Sequence, residues 1–60
     1  MKQKDKCYLV CSVKDDLPVA CFDTIREVME YLDVSYTMVW RSYRHGAIIR
    51  GLYVEQVLLG

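Results

Sequence analysis

A chain of 60 residues makes one domain, 1–60, and a domain this short buries only about 60% of the surface its unfolded form exposes, which leaves no room for a deep catalytic cleft. With 53% hydrophobic and 27% charged residues it can offset the entropy of ordering and is globular rather than disordered. No apolar run approaches the roughly 20 residues of a membrane span, so a cytoplasmic protein without a membrane partner is expected.

The net charge is zero, but it is unevenly spread. Met1 to Asp33 is net acidic, whereas Val34 to Val54 carries Arg41, Arg44, Arg50 and His45 and no Asp or Glu. A charge-polarised chain of this kind suits an anionic partner on one element.

In chain order, Lys6 to Val13 reads as a strand, with Tyr8, Val10 and Val13 supplying aromatic and β-branched residues. Lys14-Asp15-Asp16-Leu17 is a turn, and Pro18 through Phe22 a second strand, since proline is tolerated at a strand's first residue. Together they predict a β-hairpin. Cys7, Leu9, Cys11 and Val13 share one strand face, and the thiols are expected to be reduced, small buried hydrophobes. Three cysteines cannot all pair within one chain, and Cys7-x3-Cys11 is not a zinc knuckle, so neither a disulfide scaffold nor a metal site is expected.

Thr24-x-x-Glu27 is a capping box. From it a helix runs to Leu32, with Ile25, Val28, Met29 and Leu32 on one face and Arg26, Glu27 and Glu30 pointing away. Asp33 tolerates a left-handed conformation, Val34 tucks inward, and Ser35 caps a second helix from Tyr36 to His45. On that helix Met38, Val39, Ser42 and Tyr43 share one side; Tyr36, Thr37, Trp40, Arg41 and Arg44 share the other. Gly46 ends it. Ala47 to Arg50 and Leu52 to Leu58 read as extended segments around a turn or bulge at Gly51. A last strand returning beside the hairpin completes a small antiparallel sheet, giving an α+β fold of winged type.

Two short helices joined by about three residues, the second capped and carrying polar and basic groups outward, form the arrangement of a DNA-binding helix-turn-helix. The runs Phe22-Asp23-Thr24-Ile25-Arg26-Glu27, Tyr31-Leu32-Asp33-Val34-Ser35 and Val39-Trp40-Arg41-Ser42, with Gly46 and Gly51-Leu52-Tyr53, resemble the helix-turn-helix modules appended to intron-encoded homing endonucleases. Small phage and Firmicute proteins carry a similar module. In those modules a glycine usually stands where this chain has Asp33. The resemblance implies binding to double-stranded DNA in a phage or mobile-element regulator of transcription; no nuclease domain accompanies it.

The expected contacts are Arg41 and Arg44 on base edges or phosphates, Thr37 on a phosphate or thymine methyl, Tyr36 on a phosphate, and Arg50 with Lys2, Lys4 and Lys6 along the backbone. Trp40 is open between a groove contact and a core or interface anchor. His45 suits the negative end of the helix dipole. The rival function is a protein-interaction module using exposed Tyr36, Trp40 and Tyr53. No catalytic constellation or cofactor motif is present: His45 has no partner legible in the sequence, and Asp15-Asp16 sits in a turn. A module this small also suggests a homo-oligomer or larger assembly, with the apolar run Leu52 to Leu59 as the seam.

Overall fold

Strand β1 (Lys6–Ser12) lies in the middle of a three-stranded antiparallel sheet, between β2 (Leu17–Phe22) and β3 (Leu52–Leu58), in a computed structural model that describes residues 6–58. Between β2 and β3 the chain forms α1 (Ile25–Leu32) and α2 (Tyr36–His45). The fold is α+β: a hairpin, two helices and a returning strand.

The hairpin closes through Asp16, whose φ of 56° is left-handed and whose amide donates to Ser12 O at 2.7 Å. Val10 faces Ala20 while Cys11 faces Pro18, so β2 carries one extra residue, Val19, as a bulge. On the other side β1 and β3 stay in register from Lys6–Leu58 to Ser12–Leu52.

Side chains alternate across a strand, and the helices settle on the face of Tyr8 and Val10. These pack with Val28, Leu32, Val39, Ile49 and Val54 into one core, bordered by Phe22, Ile25, Met29, Met38 and Tyr43. The Tyr8 and Tyr43 rings meet at 5.7 Å. The other face carries Cys7, Leu9 and Cys11, with Pro18 and Cys21 from β2 and Tyr53, Glu55 and Val57 from β3. No helix or strand among the described residues covers it.

That corrects the expectation for the thiols. Cys7, Leu9 and Cys11 do share a face, but it is the uncovered one: Cys11 is buried, Cys7 is half-buried and Cys21 is exposed, while Val13 lies in the turn beyond β1 and is exposed. Cys11 owes its 3% exposure to its surroundings. Tyr53, directly opposite on β3, donates its hydroxyl to Asp16 Oδ1 at 3.1 Å. Held first by that carboxylate and next by the Cys11 thiol, the phenol is pushed up to about 12.

A second correction concerns Ala47 to Arg50, which is not a strand. Ile49 alone bridges to Leu52, with bonds of 2.7 and 2.9 Å in the two directions. Arg50 and Gly51 between them have φ of 50° and 81°, the two positive values of a type I′ hairpin turn. The turn at Gly51 stands where expected, but it takes only Arg50 of the segment; Ala47 to Ile49 ends in the single bridge at Ile49 and forms no ladder. No helix among the described residues is long and apolar enough to cross a membrane.

Candidate nucleic-acid interface

The interface is built from the turn between the helices outward. Thr24 Oγ1 accepts from the Glu27 amide at 3.3 Å, and Glu27 Oε1 accepts from the Thr24 amide at 3.2 Å, so the capping box is complete. The end of α1 is set by Asp33, left-handed at φ 58°, whose N–H reaches the Met29 carbonyl. Asn and Asp are among the few non-glycine residues that adopt this conformation readily. Val34 donates to the same carbonyl at 3.1 Å, and Ser35 Oγ then accepts from Met38 N, opening α2 after a three-residue connection.

Two long-range hydrogen bonds hold this unit on the sheet. Ser42, the one buried polar residue of the described chain, accepts from the Val54 amide at 2.7 Å. β3 is an edge strand, so this bond joins α2 to a backbone donor that the ladder does not use. Arg50 donates through Nη2 to the Leu32 carbonyl at the end of α1. A cation there also meets the negative end of the helix dipole.

With Val39 and Ser42 turned inward, the outer side of α2 presents the expected set. Tyr36 is 52% exposed, Thr37, Arg41 and Arg44 are exposed, and Trp40 is half-buried. The Arg44 guanidinium carbon lies 5.9 Å from the centre of the Trp40 ring, within cation–π range. The His45 ring meets Trp40 edge-on at 5.1 Å. Tyr43, at the margin of the core, has its hydroxyl pKa raised, first by burial and then by neighbouring Tyr36.

The structure therefore brings five of the six expected contact residues, Tyr36, Thr37, Trp40, Arg41 and Arg44, to one helix side. Arg50 stands apart from them: it is exposed, but its guanidinium is engaged at α1. Lys6 is exposed at the start of β1; Lys2 and Lys4 lie outside the described residues. Sequence reasoning missed the His45–Trp40 contact and the Ser42–Val54 bond. A helical wheel sets residues five apart at 140° and says nothing of rings reaching along the axis, and no local signal announces a partner on a distant strand.

No known family, characterised protein or solved structure matches this chain. Its own residues carry the functional reading. Among the described residues no cluster of His, Cys, Asp or Glu is arranged to hold a metal ion.

Proposed function

We propose that this chain binds double-stranded DNA, with α2 in the major groove, as the helix-turn-helix module of a phage or mobile-element regulator. One observation carries the reading: the outer side of α2 exposes Tyr36, Thr37, Arg41 and Arg44 together, and no carboxylate lies on that helix. Guanidinium groups three residues apart chelate guanine edges or pair with phosphates. Tyrosine and threonine hydroxyls near the helix start reach the backbone.

Trp40 serves here as the support that restrains Arg44. Stacking on the indole removes rotamers from a long side chain before it meets a phosphate, which lowers the ordering cost of binding. Arg50 acts on the inside of the module, holding the end of α1, so it adds nothing specific to base reading.

The test is a fluorescence-anisotropy titration with mixed-sequence duplex. Three to five phosphate contacts give a slope of log K against log salt of roughly −3 to −5. A folded protein that shows no affinity near 50 mM salt, at the low end of the range where such binding is strongest, rules the reading out. The rival, a protein-contact surface, keeps Tyr36 and the half-buried Trp40 on α2 but not Tyr53, which is half-buried on the opposite face of the sheet and bonded to Asp16. The exposed Tyr36 ring favours it, and it predicts a protein partner and no salt-sensitive DNA binding.

A further inference from the structure

The two edges of the sheet are finished differently. On the β2 edge Pro18 and the bulge at Val19 interrupt the strand, two devices that keep an edge from pairing. On the β3 edge the outward amides alternate. Leu52 N–H is taken by Ile49 O and Val54 N–H by Ser42 Oγ. Because the Val54 N–H points away from β1, the alternation of an antiparallel ladder sends the N–H and C=O of Gln56 and Leu58 outward too. This last stretch of the edge carries no proline, bulge or covering helix, and Leu58 is 76% exposed.

We infer that β3 pairs with β3 of a second copy through Gln56 and Leu58, making a six-stranded sheet with a two-fold axis between the two Val57 residues. The register follows from the donors. Gln56 N–H donates to Leu58 O of the partner copy and the partner's Leu58 N–H donates back to Gln56 O; the symmetric pair doubles this to four bonds. Setting Gln56 against Gln56 instead would require Val54 N–H, which Ser42 already holds. Antiparallel pairing of identical edges is isologous and closes on itself. The short contact buries far less than the about 800 Å² per partner of a stable dimer, so the pairing is weak and concentration-dependent.

The consequence for the interface, resting on the DNA reading above, is geometric. A two-fold axis perpendicular to the sheet keeps both helix layers on one side, so both α2 helices face the same duplex. The two Ser42–Val54 joints stand about 20 Å apart along the strands, six residues at the rise of a β-strand. The two-fold relation gives a site read by both helices palindromic symmetry, with its two halves closer than the about 34 Å of half-sites one helical turn apart.

Sedimentation equilibrium between about 20 µM and about 1 mM, a range that brackets weak association, should show the mass rising from 7.0 kDa toward twice that value. Amide exchange at Gln56 and Leu58 should slow in step. Gln56→Pro removes an outward donor while leaving every inward ladder bond, and should raise the dimer Kd about tenfold or more; Leu58→Pro, at the strand's end, does the same if the first variant folds poorly. A monomer at every concentration overturns the pairing, as does a dimer that survives both proline variants or that Leu9→Lys on the open face dissolves instead. Dimer formation without DNA affinity overturns the DNA reading alone. Tight monomeric DNA binding with no association overturns the pairing alone.

Discussion

The outer side of α2 and the uncovered face of the sheet lie on opposite sides of the same small body and are made of opposite materials. The first exposes two arginines, a threonine and a tyrosine around a half-buried Trp40. The second is lined by Leu9, Pro18, Cys21, Tyr53 and Val57, with Glu55 as the one charged side chain in its rows. The contrast teaches that this protein has a one-sided core. Helix-facing residues hold it together, while the exposed Arg41 and Arg44 of α2 should be exchangeable at little cost in stability.

The largest effect that tests this division is Leu32→Ala. Leu32 is 1% exposed, and truncating a fully buried leucine costs about 2 to 5 kcal/mol, enough to unfold a domain with so little reserve. Leu9→Ala, on the central strand but turned to the open face, should cost under about 1.5 kcal/mol by the lost transfer term alone. Urea denaturation of the two variants measures the difference; equal losses would mean that the open face is covered after all.

Next in size come the polar joints. Ser42→Ala strands the Val54 amide in the interior and should cost about 1 to 3 kcal/mol, with amide exchange at Val54 accelerating. Cys11→Ser should cost less, about 1 kcal/mol, because the buried hydroxyl keeps the Tyr53 phenol as a partner. Cys21→Ser, on the same face but exposed, should stay within about 0.5 kcal/mol. Chelator should leave the melting temperature of the wild type unchanged.

On the other side the readout is binding, not stability. Arg41→Ala or Arg44→Ala should weaken DNA binding by about 1 to 3 kcal/mol where the side chain reads a base edge, and a pure phosphate contact should flatten the salt slope by about one. Melting temperature should barely move in either variant. Reversing Arg26, exposed on α1, is the control and should matter less than either. A loss of folding on Arg41→Ala would erase the proposed division of labour.

The smallest effect is spectroscopic. Tyr53 should resist ionisation until about pH 12, and Asp16→Asn should bring its transition down toward the ordinary value for tyrosine. Since the folded-state value lies above the unfolded one, this proton's stabilising contribution is complete below about pH 10 and disappears as pH rises through 12. Absorbance at alkaline pH, compared with Tyr53→Phe, follows it.

Local chemistry was the readable part of this fold. The Thr24 box, the left-handed Asp33, the Ser35 cap and the ten-residue α2 all arise from residues within four of one another, and each stands where the spacing predicted. Which face of β1 turns inward was not readable, because Tyr8 and Val10 on one side and Cys7, Leu9 and Cys11 on the other are both apolar sets. The landing of the helices decided it. Arg50 misled for a similar reason: its cation belongs to the basic segment, but its partner lies eighteen residues back, where only the assembled fold brings them together. At the candidate site the exposed set on α2 followed from periodicity, whereas the Trp40–His45 contact depends on how the two rings reach along the helix axis.

The middle strand of the sheet comes first in the chain and pairs with the last, Lys6 against Leu58 and Ser12 against Leu52. Contacts so distant in sequence demand that a long loop close before they repay its entropy. Two consequences follow for the living chain. The helix pair cannot be cut out as a working fragment, since its core partners Tyr8, Val10 and Val54 come from both flanks. And during synthesis the helices wait, formed at best in passing, until β3 clears the ribosome and the sheet can zip shut around β1.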